Sequence, residues 1–346
     1  MQAGDKRLVK FMEGNDIDFV IPVYQRSYDW QIEQCKRLWD DLITIIKSGR
    51  SHFFGSIVSV VTPSPNVTEF MIIDGQQRLT TVSLIMAALC NLIESGELQD
   101  PNNLSTMVKN EYLINKYRPF ENKLRLKLIK TDRESYDRIV ENDKNFNFTK
   151  SSNLFKNYQY FLTMFLSNTN NHTVDQYVAA LKQLFIVDIQ LKAGEDDPQL
   201  IFESLNSTGL ALSEADKIRN FVLMNLTSEQ QNDYYYKYWI NIENNSTSVK
   251  NGVSDFVRDY LTFKLRRIPR ADRVYFEFKD FVDQIELPIL EILKDLLRYS
   301  RFYKIITTGE HSNNSISKLL KDLIRLDNKV SFPYLLEVFS DRDDGV

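Results

Sequence analysis

The stretch Ile72-Ile73-Asp74-Gly75-Gln76-Gln77-Arg78-Leu79-Thr80-Thr81 marks the point where the sequence changes from strand to helix periodicity. Residues 69–73 have strand propensity, and the Asp-Gly pair ends that segment. From Leu79 to about Gly96 the apolar residues recur at helical spacing, which predicts a buried helix with the stripe Leu79, Val82, Ile85, Met86, Leu89 and Ile93. A strand, a short polar loop and a helix therefore follow one another here.

The polar loop before this predicted helix has the features of an anion site. A helix N-terminus presents N–H groups without intrahelical partners and the positive end of the helix dipole, which favours phosphate. Gly75 would let the backbone approach a ligand closely, and Arg78 would add a charge-assisted donor. Asp74 is placed to hold Mg²⁺ or orient a water molecule, while Gln76 and Gln77 could read a ligand or position a nucleophile. A polar turn with Asp74 bound to nearby backbone is the structural alternative.

A second polar and aromatic segment reads Ile21-Pro22-Val23-Tyr24-Gln25-Arg26-Ser27-Tyr28-Asp29-Trp30. The rings of Tyr24 and Trp30 could stack on a base, and the planar guanidinium of Arg26 could clamp a phosphate. The same residues could equally form an aromatic plug that seals a domain edge. The residues alone leave both interpretations open.

A third segment, residues 201–213, joins two predicted helices. Asn206 could bind a ligand or cap the end of a helix predicted over 199–205, and Gly209 is expected to need a positive φ. Ser213 is a good N-cap, and Asp216 three residues later completes a capping box.

Within residues 122–129, basic residues and leucines alternate strictly from Lys123 to Leu128, which predicts a half-buried strand. Its outer row would be either a solvated face or a strip that follows DNA phosphates, and it consists of Lys123, Arg125 and Lys127.

Composition and charge bound the partners and the cellular setting. The 346 residues, 43% hydrophobic and 26% charged, are typical of a globular protein long enough for two cores. A net charge of −4 gives no general attraction to nucleic acid, so any DNA contact must come from local patches. Only two cysteines, no signal peptide and no apolar run of about 18 residues predict a cytoplasmic protein without a membrane span.

Two classes of chemistry find no support in the sequence. His52, His172 and His311 are scattered, which argues against a histidine-based nuclease or metal centre within this chain. A glycine-rich loop that ends in Lys-Ser or Lys-Thr is also missing, so nucleotide use would not be of the P-loop kind.

The remaining periodicity predicts an α+β protein. An extended stretch at 19–24, a helix over 32–46 and strands over 53–61 and 69–73 indicate a mixed α/β domain. After a polar loop at 142–153 the pattern is mainly helical, interrupted by one apolar strand over 184–191. The expected helices there span about 154–167, 173–184, 213–226, 229–241, 253–265, 274–284, 288–305 and 314–326. We therefore expect a mixed α/β domain over residues 1–145 and a mainly helical domain over residues 146–346.

Several of these stretches together resemble the GmrSD-type modification-dependent restriction family. They are the Pro-x-Tyr-Gln-Arg-x-Tyr-x-Trp segment, the Phe-x-Gly of the first strand, the Asp-Gly-Gln-Gln-Arg-Leu-Thr-Thr run, and Ile-Phe-Glu-x-Leu-Asn-x-x-Gly-Leu from Ile201. With residues 124–136 and 256–278, the likeness covers nearly the whole chain. The family's N-terminal domain is similar to the ParB/sulfiredoxin superfamily, so the resemblance implies that fold for the first domain.

The resemblance implies an NTP-binding and NTP-hydrolysing sensor of a bacterial anti-phage restriction system that recognises modified double-stranded DNA. The implied cofactor is Mg²⁺, held by Asp74, and the implied catalytic residues are Asp74, Gln77 and Arg78. Residues implied to bind the nucleotide or its phosphates are Tyr24, Gln25, Arg26, Gly75, Gln76, Thr80, Asn206 and Gly209. Candidates for DNA contact are Trp30, Lys123, Arg125 and Lys127.

The chain departs from the family pattern at Thr208, where the family often has arginine, and at Asp216-Lys217-Ile218-Arg219-Asn220, where it often has Asp-Leu-Ile-Lys-Asn. The family's HNH-type nuclease region is absent from this sequence, so we expect cleavage to belong to another domain or a separate chain. Three functions stay open: a hydrolysing sensor, a non-enzymatic DNA-binding module that recruits a nuclease, and a direct ParB-like nuclease. The oligomeric state also stays open, a homo-oligomer included.

Overall fold

A computed structural model describes residues 1–342 except for 15, 64–66, 116, 119–122, 149–151, 169–170, 193, 207–211 and 328. The chain divides into two compact units, Met1–Pro198 and Gln199–Val346. The first unit is built on a six-stranded mixed sheet of order β1-β6-β3-β4-β2-β5. Its strands are β1 (Gln2–Arg7), β2 (Ile17–Val20), β3 (His52–Pro63), β4 (Thr68–Asp74), β5 (Leu126–Lys127) and β6 (Leu184–Lys192).

Three neighbouring strands of this sheet run in the same direction. β2 pairs in parallel with both β4 and β5, with Val20 opposite Met71 on one side and Lys127 on the other. The carboxyl ends of these strands therefore lie at one edge of the sheet, where polar loops of open α/β sheets commonly bind ligands. β3 runs antiparallel to β4, whereas β6 is parallel to β3 and antiparallel to β1.

Seven helices surround the sheet in the described part of the first unit. They are α1 (Leu8–Met12), α2 (Ile32–Ser48), α3 (Gln76–Glu94), α4 (Leu104–Val108), α5 (Lys130–Val140), α6 (Asn153–Ser167) and α7 (Val174–Gln183), and a π-helical turn (Lys109–Leu113) follows α4. α3 is buried on nearly every side, from Leu79 to Leu92. A helix that is apolar all round is typical of a domain core, so the N-terminus of α3 is held in a fixed position.

The regular structure of the second unit is entirely helical in its described residues. Its helices are α8 (Pro198–Asn206), α9 (Glu214–Leu223), α10 (Ser228–Tyr234), α11 (Ile240–Asn245), α12 (Val253–Leu265), α13 (Val274–Ile285), α14 (Ile289–Thr308), α15 (Asn314–Arg325) and α16 (Phe332–Arg342), with a π-helical turn (Tyr235–Trp239) between α10 and α11. None of the described helices is both long and apolar enough to cross a membrane.

The expected fold class is confirmed, since a mixed α/β sheet region precedes a mostly helical one. The division of the chain differs from the boundary expected at residue 145 and falls at Pro198. The reason is β6, which lies between β1 and β3 and makes residues 146–198 part of the first unit. The strand expected over 122–129 is also shorter, because only Leu126–Lys127 joins the sheet.

Candidate functional site

The turn between β4 and α3 requires glycine at position 75. Gly75 has φ 93° and ψ 4°, a left-handed conformation that glycine adopts without a Cβ penalty. A Cβ atom there would lie 2.9 Å from Cγ1 of Ile57 and 3.0 Å from the carbonyl oxygen of Ser56. The backbone of the turn therefore lies directly against β3.

The N-terminus of α3 has no side-chain cap among the described residues. The first intrahelical bond of the helix is that from Leu79 N to Gly75 O, at 3.0 Å. The amides of Gln76, Gln77 and Arg78 precede it and belong to the set that a helix leaves without intrahelical acceptors. Such a terminus can bind an anion.

Two glutamines bind the 21–30 segment to the end of β4. Gln25 Nε2 donates to the carbonyl oxygen of Ile73 at 2.9 Å. Gln76 Nε2 lies 3.2 Å from both Gln25 Oε1 and the carbonyl oxygen of Arg26. Both glutamine side chains are buried. Their hydrogen bonds therefore hold the backbone at Arg26 in a fixed position relative to the start of α3.

The side chain of Gln77 is used entirely by the same segment. Its Oε1 accepts from the backbone N–H groups of Asp29 at 2.9 Å and Trp30 at 3.3 Å. Its Nε2 donates to the carbonyl oxygen of Ser27 at 3.2 Å. The residue is 7% exposed. We expected Gln77 among the catalytic residues; its side chain instead binds three backbone groups of the 21–30 segment, and a catalytic role stays a prediction.

Tyr28 anchors the segment from its other side. Its hydroxyl lies 2.8 Å from Thr81 Oγ1 and accepts from Asn157 Nδ2 at 3.0 Å. The backbone N–H of Tyr28 donates to Asp132 Oδ2 at 2.6 Å, and burial raises the pKa of that carboxyl although this hydrogen bond opposes the shift. The sequence analysis did not single out Asp132 or Asn157, because no local pattern connects them to a segment more than 100 residues earlier.

Two partly exposed arginines, Arg78 and Arg26, form what we call the rim of the candidate site. Arg78 Nη1 donates to the carbonyl oxygen of Ser56 at 3.0 Å and lies 3.7 Å from Asp74 Oδ2. Arg26 Nη1 lies 3.6 Å from Asp29 Oδ2. Both arginine–carboxylate separations exceed a hydrogen bond, so a phosphate could replace either carboxylate without breaking one.

Gly55 explains the Phe-x-Gly pattern of β3. A Cβ atom at this position would lie 2.6 Å from Nε of Arg78. Glycine therefore allows the guanidinium group to lie flat against the strand and reach Ser56 O. The pattern was visible in the sequence, but its connection to Arg78 was not.

Other predicted ligand-binding residues lie in the core or at its edge. Tyr24 is fully buried and Thr80 is 2% exposed, and burial raises the pKa of the Tyr24 phenol well above its ordinary value. The expectation that Tyr24 offers its face to a ligand does not match this burial. Trp30 is partly exposed and packs edge-on against Phe54, with ring centroids 6.5 Å apart.

The expected basic outer row is wrong at Arg125, which is 1% exposed. Arg125 donates from Nε to the carbonyl oxygen of Ile114 and from Nη2 to that of Asn110, both at 3.1 Å. Lys127 Nζ lies 2.7 Å from an oxygen of the buried Asp18. The alternation misled because Leu126 and Lys127 alone pair as a strand, and Arg125 satisfies carbonyl groups of the preceding segment.

Two expectations concern the second unit. Asn206 is the last residue of α8, and Gly209 lies outside the described residues. That they close the site therefore stays a prediction. Among the described residues, no group of three or more His, Cys, Asp or Glu side chains could hold a metal ion.

The structure shows a mixed α/β unit in which the N-terminus of α3 has no side-chain cap among the described residues, and a second unit that is helical. Residues 8–223 match the family described as GmrSD restriction endonuclease, N-terminal domain. Since the match spans more than half of the chain, the protein belongs to this family, which associates it with DNA restriction systems. A search of the curated proteins found no match.

Proposed function

We propose that this chain is an NTP-binding and NTP-hydrolysing sensor module of a restriction system that recognises modified DNA. One observation carries the hydrolytic part: the uncapped N-terminus of α3 follows Asp74 and carries Arg78, and Gln76 Nε2 holds the backbone carbonyl of Arg26 at 3.2 Å. Backbone N–H groups, two guanidinium groups and one carboxylate are the set that phosphoryl transfer uses. The family supports an interaction with DNA.

In this proposal the residues divide into two roles. The α3 amides, Arg78 and Arg26 bind the phosphates, and Asp74, released from Arg78, orients the attacking water and accepts its proton. Gln76 and Gln77 act by holding the 21–30 segment in place. Water adds to the terminal phosphorus, the bond to the bridging oxygen breaks, and the leaving diphosphate takes the electron pair.

As an alternative to the water-orienting role, the partly exposed carboxylate of Asp74 could hold Mg²⁺, which proteins commonly bind through one or two carboxylates together with substrate phosphates. When bound, the ion would neutralise charge on the phosphates. We propose that the DNA is double-stranded and modified, and that an HNH-type nuclease in another domain or chain performs the cleavage.

A specific observation also favours a non-enzymatic DNA-binding module. The amides of Gln25, Gln76 and Gln77 are engaged by backbone or by each other. Among the described residues, the acids next to the rim arginines are Asp74 and Asp29, and each lies within 4 Å of its arginine. A pocket that binds nucleotide without turning it over would have this composition. Binding of a non-hydrolysable nucleotide without any phosphate release from NTP would support this second function.

Phosphate release from NTP in Mg²⁺ tests the hydrolytic function. Asp74→Ala should lower turnover by about 10²-fold, the scale of losing an electrostatic stabiliser. The matched control is Glu69→Gln, which removes an exposed carboxylate at the other end of the same strand and should leave turnover unchanged. Hydrolysis by Asp74→Ala at the wild-type rate would remove Asp74 from the chemistry.

A further inference from the structure

A cavity of about 200 Å³ lies at the C-terminal end of α3, between α5, α6 and the segment that follows α5. Its lining includes Asn91 from α3, Tyr158 from α6 and Phe148. Asn91 is 15 residues after Gln76, which places it about 22 Å further along the helix axis. A single nucleotide bound at the N-terminus of α3 does not span this distance, so the cavity is separate from the site already described.

Asn91 is a buried amide with one half unsatisfied. Its Nδ2 donates to the carbonyl oxygen of Ile139 at 2.8 Å and to the hydroxyl oxygen of Tyr158 at 2.9 Å. Asn91 is only 3% exposed. Although its Oδ1 is buried, this oxygen has no hydrogen-bond partner among the described residues. Buried carbonyl oxygens are normally paired. An N–H group of a ligand in the cavity would pair this one.

Two aromatic residues, Phe148 and Tyr158, line the cavity, and Phe146 and Phe155 pack behind them. Phe148 is stacked on Phe155 with a centroid distance of 4.4 Å and an interplanar angle of 6°. Phe146 packs edge-on against Phe148 at 4.8 Å, and Tyr158 lies 6.4 Å from Phe155. The Phe148 ring is therefore fixed before a ligand arrives, so little side-chain entropy is lost when a planar ligand stacks on it.

Charged side chains are part of the cavity lining. Arg138 lies over the Phe146 ring at 5.8 Å and 3.4 Å from an oxygen of Asp143. Lys144 also lines the cavity and is exposed, and Glu97 contributes one further negative charge to the lining. Lys144 is therefore a cation of the lining that a phosphate attached to a bound ligand could meet.

We infer that this cavity binds a nucleobase. The base would stack on Phe148, an exocyclic amine or ring N–H would donate to Asn91 Oδ1, and the attached phosphate would meet Lys144. Stacking combined with hydrogen bonds to the edge of the base is how proteins hold bases taken out of a duplex and bases of single strands. The same chemistry fits a free nucleotide. This inference goes beyond NTP hydrolysis and does not depend on Asp74.

The test uses the whole chain and the fluorescent probe 2-aminopurine deoxyriboside 5′-monophosphate, whose emission falls when it stacks. Wild-type protein should quench the probe saturably. Phe148→Ala should weaken binding roughly tenfold, within the range of losing one stacking contact. Phe53→Ala removes a half-exposed phenylalanine of the same unit away from the cavity and should bind like wild type.

Variants that change charge give a second measurement in which the aromatic residues of the cavity stay unchanged. Lys144→Ala should weaken the monophosphate more than the uncharged nucleoside, whereas Lys156→Ala, an exposed lysine on α6, should affect neither. Asp74→Ala should bind the probe normally even where hydrolysis is lost, which separates this inference from the proposed function.

The source of the base is decided with duplex DNA. A duplex carrying 2-aminopurine opposite a mismatch should change its emission on adding protein if the cavity takes bases from DNA. A response to the free monophosphate alone would assign the cavity to free nucleotides. Absence of saturable binding by both probes would overturn the inference, as would wild-type affinity in a Phe148→Ala variant that melts normally.

Discussion

Replacing Gln77 with alanine should destabilise the first unit far more than a single surface substitution. The Gln77 side chain makes three hydrogen bonds to the backbone of the 21–30 segment, to Asp29 N, Trp30 N and Ser27 O. The residue is 7% exposed, so water cannot freely replace all three partners. Alanine removes the bonds and leaves partly buried backbone groups without partners.

The magnitude follows from the number of bonds. At about 1 kcal/mol for each hydrogen bond, the loss of unfolding free energy is roughly 2–3 kcal/mol. For a unit of this size, each kcal/mol corresponds to about 2–4 °C in Tm, so the shift should be about 5–10 °C. Urea unfolding followed by circular dichroism and by tryptophan fluorescence measures the change in unfolding free energy, because Trp30 and Trp39 belong to the first unit. A thermal melt measures the change in Tm.

The matched control is Gln159→Ala, which removes an exposed glutamine from α6 and should shift the free energy by less than about 0.5 kcal/mol. Gln77→Glu keeps the two acceptor functions but places a carboxylate oxygen against Ser27 O, so it should lie between alanine and wild type. If Gln77→Ala unfolded at the wild-type urea concentration, the three bonds would not hold the segment and the assignment as a positioning residue would fail.

Three further predictions concern the rim and the second unit. Arg26→Ala should lower turnover and Arg26→Lys should restore it only in part, since an ammonium group lacks the planar fork of a guanidinium; a lower Tm with unchanged activity per folded molecule would instead make the Arg26–Asp29 pair structural. Gly55→Ala should displace Arg78, because Arg78 Nε lies 2.6 Å from the added Cβ position. A shift of Arg78 near 1 Å should reduce phosphate release by up to about 10²-fold. The control is Gly49→Ala, which also has a positive φ but open space around its Cβ, and it should leave the rate unchanged. Burial raises the pKa of Asp259 to about 7, so the folded state holds a proton that the unfolded state releases, and stability from this group is lost as pH rises from about 4 to 7. Asp259→Asn should therefore be more stable than wild type at pH 8, with the difference shrinking toward pH 5, and an equal difference at both pH values would contradict the assignment.

Local patterns predicted most of the regular structure. The change of period at the Asp-Gly pair gave β4 and α3, and the Ser213–Asp216 capping box is present, with Asp216 N donating to Ser213 Oγ at 3.1 Å. These elements depend on neighbours within a few residues. β1 was missed because Gln2–Arg7 is a mostly exposed edge strand with a polar sequence, and neither alternation nor apolar content marks it.

The sequence indicated which polar residues cluster around the β4–α3 turn, but not which partners their side chains bind. Gln77 and its backbone partners are separated by 47–50 residues in the chain, and a motif does not record which of its polar groups face the backbone. Arg125 also shows that a local pattern does not record distant hydrogen-bond partners, here for a residue expected to be exposed. Its place in an alternating pattern suggested solvent, whereas two carbonyl groups more than ten residues earlier bind it inside the fold.

The engagement of the glutamines has a consequence for binding. Arg26 and Arg78 belong to different elements, and a flexible loop would have to be ordered before both could contact one phosphate chain. Gln25, Gln76 and Gln77 cross-link those elements through buried hydrogen bonds, so the backbone that carries Arg26 is already fixed relative to the N-terminus of α3. If the two arginines bind one phosphate chain, as proposed, binding needs to order only their guanidinium side chains, which lowers the entropic cost of association. A polar motif can therefore serve phosphate binding mainly through residues that never touch the phosphate.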